Sequence, residues 1–211
     1  MSIDLYCFGE SGNAYKAALS LELAGMNWRP RFVDFFNGET RGDDYRSRLN
    51  PMGEVPVMVD GDLTLTQSGA IQQYVVDRSG RLGHPDRLEL LRWILWDNHK
   101  LSGQAGMTRF LMNFVPPEKR PQPVIDFMQA RLRAAYAVLD AHLKDRDWIV
   151  GDAVTIADTA CCGYLFYEEP FGFARADWPA IDRWLTCIAA LPGWKHPYDL
   201  MPRSADEGGS T

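Results

Sequence analysis

The chain has 211 residues, 46% of them hydrophobic, with seven Trp and ten Phe, enough for an aromatic-rich core in one large domain or two modest ones. Its net charge of −6 supplies no basic face for phosphate contacts, which argues against nucleic acid as a partner. No apolar run approaches the roughly 20 residues of a membrane helix, and the start, Met1-Ser2-Ile3-Asp4-Leu5, carries no leader pattern. Cys7, Cys161, Cys162 and Cys187 match neither a disulfide framework nor a zinc site. The expectation is a cytoplasmic protein with no membrane, metal or cofactor requirement.

Residues 3–8, short and apolar before Gly9, predict a strand. Apolar residues at helical spacing over 13–24 predict a helix that stops at Gly25. A second strand follows over 28–36, then a polar stretch, 37–48, holding a short irregular helix. Two apolar runs, 55–59 and 63–65, flank Asp60-Gly61-Asp62, a hairpin signal. A helix is predicted over 67–78. Strand–helix–strand implies a parallel pair, and the hairpin adds antiparallel strands. The first domain is therefore a small mixed sheet with helices over 1–79, joined by a linker, 80–86, that carries Gly80, Gly83 and Pro85. Residues 87–203 read as helical throughout: one long helix over 87–113, then 123–143, 155–167 and 178–190. The small, polar end, 204–211, reads as disordered.

One stretch carries chemistry: Asn50-Pro51-Met52-Gly53-Glu54-Val55-Pro56-Val57, followed by Gln67-Ser68. A strand opening on Val-Pro lacks one ladder donor, and an X-Pro bond goes cis at modest cost. A cis Val55-Pro56 bond would turn the N–H and C=O of Val55 outward, where an extended peptide could pair with them. Gln67 and Ser68 stand at a helix start, whose free N–H groups and positive dipole suit a carboxylate. A main-chain clamp beside a carboxylate pocket fits a small acidic peptide.

Four segments, taken in order, resemble the cytosolic glutathione transferase family over nearly the whole chain. Residues 49–57 resemble its cis-proline segment, and Gln67-Ser68-Gly69-Ala70-Ile71 its γ-glutamyl-binding helix start. Gly151-Asp152-Ala153-Val154-Thr155-Ile156-Ala157-Asp158 resembles its capping motif, and 184–194 its closing helix. The resemblance implies a thioredoxin-like α/β domain with a mixed four-stranded sheet, followed by an all-α domain. It further implies a homodimer, with glutathione and a small electrophile as substrates. Detoxifying conjugation is the implied activity. Peroxidase or isomerase chemistry, or a non-catalytic module on the same fold, are the alternatives.

Glutathione reacts as thiolate, and a free thiol of pKa about 8.5 is only about 3% ionised at pH 7. Lowering that pKa by roughly two units takes about 2.7 kcal/mol, which a hydroxyl hydrogen bond and a helix N-terminus can largely supply. By resemblance, Ser11 in Ser11-Gly12-Asn13 stands where the serine-type classes carry their catalytic serine, and Asn13 is a second donor. A purely capping role is the alternative for both. Tyr6 is a rival donor, read instead as a packed strand aromatic. The family's glutathione contacts fall on Glu54, Val55, Pro56, Gln67, Ser68 and Asn50. Glu54 departs from the commoner lysine or glutamine, and its carboxylate would repel the glycyl carboxylate. Either it faces solvent, or Asn50 or Arg41 holds that end. Met107, Phe110, Leu111 and Phe114 are candidates for the electrophile pocket between the domains, with Trp96 and Met112 as contributors. Asp97 is a candidate partner for the glutathione amine across a dimer.

Overall fold

A computed structural model describes residues 2–207 of the chain. Four strands form one sheet in the order β2-β1-β3-β4. The strands are β1 (Ile3–Cys7), β2 (Trp28–Phe32), β3 (Val57–Asp60) and β4 (Leu63–Thr66). β1 pairs parallel with β2 and antiparallel with β3, which pairs antiparallel with β4. β1 alternates buried and half-buried residues, so Ile3, Leu5 and Cys7 face the core. Pro30 sits in β2, an edge strand, where a missing ladder donor is tolerated. β2 ends at Phe32, four residues short of the expected strand, as the chain turns through the Val33–Phe35 bond.

Helices α1 (Gly12–Leu23) and α3 (Ser68–Ser79) pack side by side, with Gln72 Nε2 donating to Ser20 Oγ at 3.3 Å. The irregular helix expected over 37–48 is a 3₁₀ turn, Glu39–Arg41, then α2 (Asp43–Arg48).

The chain divides into two compact units: Met1–Leu82 with everything from Pro192 onward, and Gly83–Leu191. Residues up to 203 are expected from the sequence in the helical domain, whereas the structure returns the last stretch to the first unit. Tyr15 Oη donates to the Lys195 carbonyl at 2.9 Å, and Lys195 Nζ meets Glu22 Oε1 at 2.8 Å. These partners lie more than 170 positions apart, beyond any local pattern. A short helix, α9 (Pro197–Leu200), lies in this returning segment; α4 to α8 follow below. The stretch expected to be disordered begins with a turn, in which Glu207 N donates to the Ser204 carbonyl. Its last four residues, 208–211, lie outside the described part.

The second unit is helical: α4 (Arg87–Trp96), α5 (Ser102–Asn113), α6 (Gln122–Leu143), α7 (Ile156–Cys161) and α8 (Pro179–Ala189). The single helix expected over 87–113 contains a π-helical turn at Asp97–Leu101. The Ser102 N–H reaches the Asp97 carbonyl five residues back, and Ser102 Oγ donates to Asp97 Oδ1 at 2.7 Å. Gly103 makes the turn possible, since a Cβ there would lie 2.7 Å from the Asn98 carbonyl oxygen. Asp97 is fully buried, so the structure turns it inward instead of presenting it to a partner subunit. The helix expected over 155–167 stops at Cys161 and continues as turns over 162–166.

Thr155 and Asp158 form the expected capping box at the start of α7. Asp158 does more than cap. One carboxylate oxygen accepts from the Ile149 N–H and Trp184 Nε1, each at 2.9 Å. The other accepts from the N–H and hydroxyl of Thr155, at 2.8 and 2.9 Å. Burial pushes the carboxyl up from its ordinary range, against these four bonds, which favour the anion. Asp158→Ala would leave three buried N–H donors without an acceptor, at roughly 1–3 kcal/mol each. The expected loss is about 3–5 kcal/mol, read as a fall in urea midpoint at unchanged m-value. A loss under about 1 kcal/mol would show that the box is only a surface cap.

Candidate functional site

The sheet register brings the candidate residues to one end of the first unit. Tyr6 of β1 pairs with Val57, the first residue of β3, and Val57 pairs with Thr66, the last of β4. The chain therefore leaves β1 toward Ser11, enters β3 from Val55 and Pro56, and leaves β4 toward Gln67 and Ser68, all at the same end of the sheet. Adjacent strands are about 4.8 Å apart, so the three segments span roughly 10 Å, about the reach of an extended tripeptide.

Ser11 is the N-cap of α1, with extended backbone, and its Oγ accepts from the Ala14 N–H at 3.2 Å. That bond uses an oxygen lone pair and leaves the hydroxyl proton to donate elsewhere. The capping role weighed against a sulfur contact is thus present, and the two are compatible. Asn13 is half-buried in the first turn of α1, where the leading N–H groups lie outside the helix ladder. Tyr6 packs against Val33, Tyr45 and Val57, as a strand aromatic does.

The Val55-Pro56 peptide bond is cis, and Val55 precedes β3, outside the paired residues. The Glu54 carbonyl just before it accepts from Tyr45 Oη at 2.9 Å and from Asn50 Nδ2 at 3.0 Å. Asn50 Oδ1 accepts from the Met52 N–H at 3.0 Å, and the residue is buried. Asn50 therefore braces the loop from inside and is not presented to a ligand. Tyr45, which has no signature in the sequence, does the same from α2; burial pushes its phenol well above the ordinary range. Arg41 lies exposed at the end of its 3₁₀ turn.

Gln67 precedes α3 with φ +68° and ψ 118°, a conformation that non-glycine residues adopt at a cost of roughly 1–3 kcal/mol. Ser68 is buried at the helix start. Gln67 Nε2 donates to Glu54 Oε2 at 3.2 Å, so the Glu54 carboxylate stands at the α3 end of the loop. That contact crosses 13 positions and has no local signature.

On α5, Met107, Phe110, Leu111 and Phe114 share a face at helical spacing, and Met107 and Phe110 are 48% and 39% exposed. Such exposure is not that of core residues. Arg109 is buried beside this face: its guanidinium lies 4.0 Å from the Tyr167 ring centre, 5.3 Å from that of Phe114 and 3.0 Å from Glu169. Trp96 closes α4 against Trp93, and Met112 accepts from Gln129.

Cys7 is fully buried, and burial pushes its thiol up to about 12, so it is no nucleophile near neutrality. Cys161 and Cys162 are buried as well, while Cys187 is partly accessible. Among the described residues, no group of three or more His, Cys, Asp or Glu is placed to hold a metal ion. Among them, no helix is long and apolar enough to cross a membrane.

The family model described as the glutathione S-transferase N-terminal domain matches residues 1–77, and that of the C-terminal domain matches 104–192. The chain is 29% identical to the disulfide-bond oxidoreductase YfcG of Escherichia coli, over 90% of this chain and 91% of that protein. A glutathione S-transferase from Xanthobacter autotrophicus superposes with a TM-score of 0.85 at 30% identity, over 93% of this chain and 97% of that one. A glutathione transferase from Burkholderia graminis, with two glutathione molecules bound per subunit, gives 0.81 at 28% identity, over 91% and 85%.

Native protein treated with iodoacetamide at pH 8 should label quickly at Cys187 only, and Cys187→Ser should abolish the fast phase. Fast labelling of Cys7 would contradict the burial argument.

Proposed function

The chain belongs to the glutathione S-transferase family, and from that premise we propose that it conjugates the thiolate of glutathione to a small hydrophobic electrophile. The observation that carries this reading is the shared end of the sheet at which Ser11, Val55 and the start of α3 stand. In the proposed complex the cysteinyl main chain of glutathione pairs with the N–H and C=O of Val55 as an added strand. Its γ-glutamyl carboxylate sits at the N-terminus of α3, against Ser68 and the strained Gln67. The bond between Gln67 and Glu54 puts the Glu54 carboxylate at this same end. There it would meet the γ-glutamyl ammonium and attract it, which removes the repulsion expected at the glycyl end.

The sulfur would then lie over the tip of α1. The Ser11 hydroxyl donates to the thiolate, Asn13 can add a second donor, and the helix dipole favours the anion. The thiolate attacks the electrophilic carbon of an aryl halide, forming a C–S bond as halide leaves. The exposed Met107 and Phe110 of α5, with the half-buried Leu111 and Phe114 beside them, support a binding surface for such a substrate. We place the protein in the cytoplasm.

A second reading is favoured by the disulfide-bond oxidoreductase relative and by the two glutathiones of the Burkholderia structure. Two glutathiones would reduce one disulfide to two thiols and leave as glutathione disulfide. The cysteines of the chain are not needed, consistent with the burial of Cys7. Hydroperoxide reduction consumes the same two glutathiones. Accumulation of glutathione disulfide separates both from conjugation.

A homodimer is proposed as well. Leu88, Leu91 and Leu95 stand 78%, 49% and 59% exposed on one face of α4, an apolar stripe of the kind a second copy would cover.

With 1-chloro-2,4-dinitrobenzene, Ser11→Ala should lower kcat about 10- to 100-fold, at 1.36 kcal/mol per decade, and leave the glutathione KM within about threefold. An unchanged kcat would move the thiolate contact to Asn13 or Tyr6. In sedimentation, micromolar protein should run as a dimer and Leu91→Glu with Leu95→Glu as a monomer. A monomeric parent chain would remove the dimer.

A further inference from the structure

The turn that delivers Ser11 to the tip of α1 runs from Phe8 to Ser11. It is closed by the Ser11 N–H, which donates to the Phe8 carbonyl at 3.1 Å. From Ser11 the helix takes over: its Oγ accepts from the Ala14 N–H at 3.2 Å and its carbonyl from the Tyr15 N–H at 2.9 Å. The middle of the turn is tied at the backbone, where the Gly9 N–H donates to the Pro202 carbonyl at 2.8 Å. Its first residue is held through the side chain. Phe8, 7% exposed, lays its ring parallel to that of Phe35, with centroids 4.9 Å apart and planes 12° apart. Phe36 closes the group edge-on, 5.8 Å from Phe8 and 5.7 Å from Phe35.

The loop that carries Phe35 is itself braced. One more ladder bond, from the Val33 N–H to the Cys7 carbonyl at 3.0 Å, carries the chain beyond β2 level with the end of β1. The chain then folds back, the Phe35 N–H donating to the Val33 carbonyl at 2.9 Å and the Gly38 N–H to the Phe35 carbonyl at 3.0 Å. Gly38 takes φ +89°, a conformation that a side chain would oppose. Asp34 and Glu39 close the base: the Asp34 N–H donates to Glu39 Oε2 at 2.7 Å, and the Glu39 N–H to the Asp34 carbonyl at 3.1 Å. A parallel stack on this support restricts where the Phe8 ring can lie and how its backbone is turned. The Phe8 carbonyl is the acceptor for Ser11, so the restriction passes to Ser11.

We propose that Phe35 is a positioning residue for the thiolate site: its ring, stacked on Phe8, fixes the turn that sets the Ser11 hydroxyl at the head of α1. A hydrogen bond weakens steeply with misalignment, so a looser turn leaves the donor in place for less of the time. The inference rests on the reading of Ser11 given above, but the hold on the turn is measurable without glutathione.

The test is amide hydrogen exchange on the full-length protein, followed by pH titration of the ultraviolet thiolate absorbance of bound glutathione. Phe35→Ala should speed exchange of the Ser11 and Ala14 N–H groups at least about 5-fold, while Leu19 and Leu21 in the body of α1 keep the parent rates. Phe35→Tyr keeps the ring and should keep the parent rates throughout. Unchanged exchange at Ser11, or equal acceleration along all of α1, would overturn the proposal. In the titration, Phe35→Ala should raise the thiol midpoint by about 0.3–0.6 pH unit, with kcat down about 2- to 4-fold and little change in the glutathione KM. In a Ser11→Ala background the same substitution should add nothing, because a residue that acts through Ser11 has no effect once the hydroxyl is gone. An equal shift in both backgrounds would show another route to the thiol and sink the idea. The two readings fail separately. If Ser11→Ala leaves the midpoint unchanged while Phe35→Ala still frees the Ser11 amide, the sulfur role of Ser11 falls and the hold on the turn stands. If Ser11→Ala raises the midpoint and Phe35→Ala does not, Ser11 stands and the positioning falls.

Discussion

The pairing of Tyr6 with Val57 and of Val57 with Thr66 is the constraint on which the rest depends. Two antiparallel ladders force three chain segments, separated by up to 57 positions, to meet at one end of the sheet. None of those segments is regular structure, and each has its own brace. Ser11 caps α1, the Glu54 carbonyl is gripped by Tyr45 and Asn50, and Gln67 holds a positive φ at the head of α3. A one-residue slip between β1 and β3 would send every side chain of the strand to the opposite face. The buried alternation of β1 resists that slip, because Ile3, Leu5 and Cys7 would lose their core. Ordinary strand packing thus sets the geometry of that end.

The chemistry asked of that end is modest. A thiol already ionises partly near neutral pH, and roughly two units of pKa separate a sluggish nucleophile from an effective one. Preorganised donors at a helix tip act without reorganising as charge develops, which is where such a site gains over water. The same economy makes it sensitive to a single misplaced charge. One acidic residue, Glu54, stands beside the proposed ligand position, and it accepts from Gln67.

The parts of the molecule that were legible in the sequence are those with short-range causes. Asp60-Gly61 announced the hairpin, Val55-Pro56 the odd entry to β3, and Thr155 with Asp158 a capping box, because each motif acts within a few residues. The mixed sheet and the all-helical second unit followed from element order. The π turn at Asp97–Leu101 was not legible, since the apolar spacing of a long helix continues smoothly through it. Glycine at 103 was its one trace. Asn50 is expected at the glycyl carboxylate because Glu54 would repel that group; only the fold shows both ends of the amide engaged within the loop. The return of the terminal segment to Gly9 and Glu10 joins partners some 190 positions apart, and no local pattern encodes it.

The central claim is that glutathione binds as an added strand at this end of the sheet. A crystal structure with glutathione tests it most directly. The account predicts the cysteinyl N–H and C=O within about 3.2 Å of the Val55 carbonyl and N–H, and the sulfur within hydrogen-bond reach of the Ser11 hydroxyl. Glutathione seated away from Val55, with the start of α3 left empty, would contradict it.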